Sequence, residues 1–363
     1  MKTKIILVGG FLGAGKTTLL WEATRKLGQT GKQVGLITND QASELVDTVF
    51  LEHAGTTVSE VSGSCFCCNF PGFTDAIAHI NEKKPMDIII AEPVGSCTDL
   101  SATILQPLKD KFAEKLSVAP LSVLVDPQQL EDIINGRISG LHMSAVYILR
   151  KQLEEADVII INKTDLLSPE AVTMLRKRTS KEWPWAKVHA LSAKNGEGCE
   201  SWLNEVLQCS EAGTHLADVD YDIYAEGEAV LGWLNTTVML KSELANWDTF
   251  AQSLLNALKE RFEKLNAVIG HVKLLIKTGN GFVIGNITGP QNILNIRETA
   301  GTGKEAKMTL NARIQMEPDA LKAIVLEEIS KAAGNNITSD LVAFKCLKPG
   351  RPNPTYRYNH IVG

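Results

Sequence analysis

The octapeptide Gly10-Phe11-Leu12-Gly13-Ala14-Gly15-Lys16-Thr17 constrains this chain more tightly than any other stretch. It has the spacing G-x-x-x-x-G-K-[ST], with an apolar run at residues 5–8 before it and a helical pattern after it. Glycines let the backbone N–H groups close around an anion, and the start of the next helix adds a favourable dipole. A strand that is apolar on both faces must be buried between layers, which points to a parallel sheet covered by helices.

The rest of the first two-thirds agrees. Strands are predicted at residues 5–8, 34–38, 87–91, 121–125, 158–161 and 188–190, with helices between them at 17–28, 73–81 and 169–183. This alternation predicts an α/β fold, a P-loop NTPase with a mostly parallel, doubly wound sheet. Beyond residue 200 the order changes to strand 230–240, helix 248–265, strands 271–277, 281–287 and 306–316, helix 318–333 and strand 341–347. That order suggests a smaller α+β domain of ferredoxin-like kind. The expected division is a nucleotide domain at 1–210, a linker at 211–228 rich in small and acidic residues, and a C-terminal domain at 229–363.

The motifs after the strands specify chemistry. Gly10, Gly13, Ala14, Gly15, Lys16, Thr17 and Thr18 are the phosphate-binding candidates, with Lys16 reaching the β- and γ-phosphates and Thr17 a ligand of Mg²⁺. Asn162-Lys163-Thr164-Asp165 follows one strand, and Ser192-Ala193-Lys194 follows the next. The Asp165 carboxylate can accept hydrogen bonds from guanine N1–H and its exocyclic amine, which adenine cannot match, so GTP and GDP are expected rather than ATP. Asp40 ends the second strand and Glu92 the third, where carboxylates can serve Mg²⁺ or water; several carboxylates between residues 40 and 47 are candidates for the Mg²⁺ contact. Gly95, in Glu92-Pro93-Val94-Gly95, is placed to sense the γ-phosphate through its N–H. Lys16, Asp40 and Glu92 are the catalytic candidates.

Between these stretches lies Cys65-Phe66-Cys67-Cys68. Three cysteines in four residues are too close for two separate disulfides. As thiolates, Cys65, Cys67 and Cys68 can bind a tetrahedral ion at about 2.3 Å for zinc. Zn²⁺ and Co²⁺ suit such a site, and Ni²⁺ and Cu⁺ are compatible with it. No fourth ligand stands out; Glu44, His53 and Cys97 are near in sequence but read as solvated or packed residues.

Composition narrows the field. A net charge of −5 argues against nucleic acid as the main partner, and no apolar run approaches the ~20 residues that span a bilayer. Seven cysteines, an odd number, without an export signal point to reduced thiols and a cytoplasmic setting.

The chain resembles the CobW/UreG/HypB group of metallochaperone GTPases, most closely the CobW-like branch. The resemblance rests on Gly9-Gly10-Phe11-Leu12-Gly13-Ala14-Gly15-Lys16-Thr17-Thr18, Cys65-Phe66-Cys67-Cys68, Glu92-Pro93-Val94-Gly95 and Asn162-Lys163-Thr164-Asp165. The ending Lys348-Pro349-Gly350-Arg351-Pro352-Asn353-Pro354-Thr355 is also similar to the family's tail. Three positions depart from the pattern: Ser64 precedes the first cysteine, Asn39-Asp40-Gln41-Ala42-Ser43-Glu44 replaces an Asn-Glu-Phe-Gly-like segment, and Tyr356 follows Pro354-Thr355. The resemblance implies a slow GTPase that delivers its metal to a client protein, with a link to corrinoid systems and a nucleotide-dependent homodimer. Two alternatives stand beside it: a non-catalytic metal-buffering module that binds GTP, and a P-loop kinase, which the guanine motif disfavours.

Overall fold

The structure, a computed structural model, describes residues 2–40, 46, 57–137, 142–288 and 293–363. Its first unit is built on β1 (Thr3–Gly10), β2 (Val34–Asp40), β3 (Thr57–Ser62), β4 (Ile88–Glu92), β5 (Leu116–Val118), β6 (Ser122–Val125), β7 (Val158–Ile161) and β8 (Lys187–Ala190). The strands run in the order β3-β2-β4-β1-β6-β7-β8, with β5 also paired to β1, and every pairing among them is parallel. Ile5, Ile6, Leu7 and Val8 are completely buried, as a strand covered on both faces requires. The parallel direction brings the carboxyl ends of β1, β2, β3, β4, β7 and β8 to one edge of the sheet.

The helices start from that edge or pack across the faces. α1 (Lys16–Gln29) follows β1 and α2 (Phe70–Lys83) follows the cysteine loop. Further along the chain lie α3 (Met143–Glu154) and α4 (Pro169–Glu182). The edge strand β3 has no counterpart among the predicted strands. Its sequence, Thr57-Val58-Ser59-Glu60-Val61-Ser62, carries only two aliphatic side chains, and pairing with β2 rather than a hydrophobic run holds it in place.

The expected linker at 211–228 differs from the structure. Its second half forms helix α5 (Tyr221–Ala229). Its first half is tied down by Asp157, whose carboxylate accepts from the backbone N–H groups of Gly213 (2.7 Å) and Thr214 (2.8 Å). Gln106 Nε2 donates to the Gly213 carbonyl at 2.8 Å. Small and acidic composition signalled a loop, but polar partners distant in sequence fix its path. By its packing the segment to residue 227 belongs to the first unit, and so does the tail 351–363, which the sequence reading assigned to the C-terminal domain.

The second unit is a six-stranded antiparallel sheet of β9 (Gly232–Asn246), β10 (Ile269–Lys277), β11 (Phe282–Thr288), β12 (Ile293–Thr299), β13 (Thr302–Ile314) and β14 (Ile337–Leu347). The order β12-β11-β10-β13-β9-β14 contains the split βαβ core β10-β13-β9-β14, and β11 and β12 extend it beyond β10. α6 (Trp247–Lys264) and α7 (Pro318–Ala333) supply the apolar cover, including Leu254, Leu258, Phe262, Leu321 and Val325.

Gly10 ends β1 at φ +133°, and a Cβ there would lie 2.3 Å from the Leu124 carbonyl oxygen of β6. That neighbour is backbone in the sheet interior and cannot yield. Gly10→Ala is expected to lower stability by at least ~2 kcal/mol, read from the denaturant midpoint, because it combines overpacking with strained backbone.

Candidate functional site

At the end of β1 the chain turns through Gly13 (φ 78°) and Gly15 (φ 96°), and Lys16 starts α1. The buried Lys16 ammonium donates to the carbonyl of Gly10 at 2.7 Å and stands 3.9 Å from Glu92 Oε1. Thr17 Oγ1 donates to Glu92 Oε2 at 3.4 Å. A hydroxyl and a carboxylate side by side are hard oxygen donors of the kind Mg²⁺ takes. Gly95 sits against the same loop: a Cβ there would lie 2.7 Å from Leu12 Cδ2 and 3.1 Å from Lys16 Nζ. The Asp40 side chain, with Glu44 and His53, lies outside the described residues.

The motifs after β7 and β8 converge on this loop. Asn162 Nδ2 donates to the Ala14 carbonyl at 2.8 Å, and its Oδ1 accepts from the Ala193 N–H at 3.0 Å. One amide thus joins the glycine loop to both later turns. Lys163 adopts φ 58°, and its ammonium pairs with Asp126 at 2.8 Å. The exposed Asp165 accepts from Ser192 Oγ at 2.7 Å, leaving carboxylate lone pairs facing outward. Lys194 is exposed beside them. Asp126, at the end of β6, was not anticipated from sequence; an isolated Asp before a Pro resembles an ordinary helix cap, a role it also fills toward Gln128.

The cysteine loop leaves the same sheet edge after β3. Asn39, the penultimate residue of β2, holds it: Oδ1 accepts from the Phe66 N–H, while Nδ2 donates to the carbonyls of Val61 and Ser64, all at 2.8 Å. The residue beside Asp40 is therefore the brace of the thiol loop. Cys65 and Cys67 are buried and Cys68 half-buried, with Sγ–Sγ distances of 3.0 Å (65–67) and 3.8 Å (67–68). All three sulfurs lie within 4.8 Å of one another, the ligand spacing a single metal ion needs. Hydrogen bonds from Cys67, Cys68 and Cys97 hold the Cys65 thiol well below its ordinary value despite burial. The same contact with Cys65 pushes Cys67 well up and Cys68 up to about 11.

The C-terminal tail crosses this loop. Asn353 N–H donates to Cys68 Sγ at 3.2 Å, and Thr355 N–H to the Cys67 carbonyl at 2.8 Å. The Tyr356 ring stands edge-on to Phe70 at 5.4 Å. Arg357 Nε and the Tyr221 hydroxyl both donate to Oδ2 of Asp99, a fully buried residue held at φ 65°. Tyr358 N–H then donates to the Ala102 carbonyl at 3.0 Å. Ala102 lies in a π-helical turn, Ser101–Leu105, where its carbonyl would pair with residue 107. Residue 107 is a proline without an N–H, so the tail supplies the missing donor. Sequence marked the tail only by resemblance; no local pattern announces where it docks.

The family model of the CobW/HypB/UreG nucleotide-binding domain matches residues 4–190, just over half of the chain. The chain belongs to the CobW/HypB/UreG family. Its relatives include a zinc chaperone CobW of Pseudomonas aeruginosa, 26% identical over 54% of this chain and 58% of that protein. The zinc chaperone YeiR of Escherichia coli is 27% identical over 48% of this chain and 51% of its own length. The chain thus spans little more than half of these curated relatives. Among solved structures, the Zn(II)-bound YjiA GTPase of E. coli is 15% identical, with a TM-score of 0.38, over 90% of this chain and 99% of that one. HypB from Helicobacter pylori in complex with nickel is 16% identical, with a TM-score of 0.42, over 60% and 91%. Among the described residues no helix is long and apolar enough to cross a membrane.

Next to the family motifs lies Glu155, fully buried, accepting from the Ser101 N–H at 2.8 Å and Thr98 Oγ1 at 3.3 Å. Burial, reinforced by the nearby Asp99 charge, raises its carboxyl well above the ordinary 4.5. The folded protein therefore keeps a proton that the unfolded chain releases above pH 4.5, and stability falls as pH rises from there, by about 1.4 kcal/mol per pH unit while the group stays protonated. Glu155→Gln can still accept from the Ser101 N–H through its amide oxygen and donate its amide N–H to Thr98 Oγ1, and it removes the titration. Denaturation at pH 5 and pH 8 is expected to show the variant gaining stability over the parent protein as pH rises.

Proposed function

We propose that this chain is a GTP-hydrolysing metallochaperone that carries a transition metal on Cys65, Cys67 and Cys68. The observation behind this reading is the placement of the thiol cluster: braced by Asn39 on one side and adjoining the Glu92–Gly95 turn on the other, beside the glycine loop. In this reading the P-loop backbone from Gly10 to Thr18 and Lys16 hold the phosphates. Thr17 and Asp40 serve Mg²⁺, and Glu92 positions water or the ion. Gly95 senses the γ-phosphate, and Asp165 reads guanine within a frame made by Asn162, Lys163, Ser192, Ala193 and Lys194.

Zinc is the favoured cargo, since thiolates suit it and relatives carry the name zinc chaperone. Cobalt and nickel are compatible with the same ligands. The recipient is a client protein, with a corrinoid-dependent system one candidate, and the setting is the cytoplasm. A nucleotide-dependent homodimer is part of the proposal. GTP turnover is slow until metal or client is present.

Two measurements check it. GTP hydrolysis with and without Zn²⁺ is expected to respond to zinc in the parent protein and to lose that response in Cys67→Ala. Turnover indifferent to zinc, cobalt and nickel would contradict the coupling, and no turnover at all would favour a metal-buffering module. For the base, Asp165→Asn is expected to weaken GTP binding at least ~100-fold, because two charge-assisted bonds are worth about 1.5–3 kcal/mol each. The variant should gain xanthosine triphosphate, whose O2 accepts from the new amide. Unchanged GTP affinity would remove Asp165 from base recognition.

A further inference from the structure

We propose that Cys97 is a fourth thiolate ligand of the metal site, carried by the same turn that bears Gly95. The assignment rests on the reading of Cys65, Cys67 and Cys68 as a metal site. Read from sequence, Cys97 is one of several scattered cysteines, best taken as a small buried hydrophobe. In the fold it is buried, yet its thiol hydrogen-bonds to those of both Cys65 and Cys67. Cys67 and Cys97 stand thirty positions apart in the chain, so this meeting comes from the sheet: β3 and β4 end on one edge, where both following loops leave it.

Coordination chemistry favours the assignment. Three protein thiolates leave a tetrahedral ion one position open, whereas four close it. Ligands at about 2.3 Å in a tetrahedron stand about 3.8 Å apart. The Cys67–Cys68 pair already has that spacing at 3.8 Å, and the Cys65–Cys67 pair at 3.0 Å has only to open. Cys97 stands outside the tight trio whose sulfurs all lie within 4.8 Å, next to the two members that are most buried.

The position of Cys97 is fixed by its backbone. Its N–H donates to the Val94 carbonyl at 2.9 Å, forming a tight turn over Gly95. Gln152 of α3, fully buried, donates through Nε2 to the carbonyls of both Gly95 (3.1 Å) and Cys97 (2.7 Å). Gly95 and Cys97 are thus held as one unit, with Gly95 against Lys16 of the phosphate loop and Cys97 against the thiols. A shift of this turn by a bound γ-phosphate would move one ligand relative to the other three.

The test uses Co²⁺ as a spectroscopic probe of the reduced full-length protein. Thiolate-to-cobalt charge-transfer absorbance scales with the number of thiolates, so Cys97→Ala and Cys97→Ser should lose about a quarter of it per bound ion. Zn²⁺ affinity in competition with a chelator should fall at least ~10-fold, since even residues one shell further out cost that much. Zinc-edge X-ray absorption of the parent protein gives a readout that needs no variant, with four sulfur neighbours expected. Three sulfurs plus one lighter atom, or Cys97 variants with unchanged spectrum and affinity beside a weakened Cys67→Ala, would overturn the role of Cys97 and leave the metal site standing. A parent protein that binds neither Co²⁺ nor Zn²⁺ would overturn both.

Discussion

The parallel direction of the first sheet is the constraint on which everything else depends. Because β1, β2, β3, β4, β7 and β8 all run the same way, their carboxyl ends meet along one edge, and each loop there starts from a strand that cannot move without breaking a buried ladder. The loops gain their precision from that footing. Asn162, at the end of β7, reaches back to Ala14 in the loop after β1 and sideways to Ala193 after β8. A Cβ on Gly15 would lie 2.4 Å from the Asn162 amide nitrogen, so the glycine is needed for the amide to approach at all.

The thiol loop shares the same footing. Its brace, Asn39, adjoins Asp40, and its neighbour Cys97 is two residues beyond Gly95. Both segments proposed to sense a γ-phosphate and its ion therefore adjoin the cluster. Burying several thiols together is tolerable only while little charge is present, and hydrogen bonds from its neighbours lower the Cys65 thiol. A divalent ion would neutralise further thiolates where protons do so otherwise. The tail adds a cover, anchored at Asp99, Ala102 and Gln106.

Much of the first unit was legible because its signals are local. The strand at Val158–Ile161 comes from uninterrupted apolar residues, and the helix over 169–183 follows it in the same α/β alternation, signals that sequence displays directly. The glycine loop and the Asn162 and Ser192 turns are legible for the same reason. β3 was not, because an edge strand with polar alternate residues looks like a loop. The packing of Gly213 on Asp157, of Arg357 on Asp99 and of Cys97 on Cys65 depends on pairs far apart in sequence, and a single sequence carries no trace of which distant partner is meant. The ferredoxin-like core and the strand that became β11 could be read from the order of elements, but no predicted strand covered β12, whose place follows from its pairing with β11.

If the nucleotide state sets the geometry of the thiol site, metal affinity must differ between nucleotide states. The direct measurement is the Zn²⁺ affinity of the full-length protein by chelator competition, once with GDP and once with a non-hydrolysable GTP analogue. A difference of at least ~10-fold between the two states is expected, a coupling free energy of about 1.4 kcal/mol. Equal affinities in the two states would contradict it.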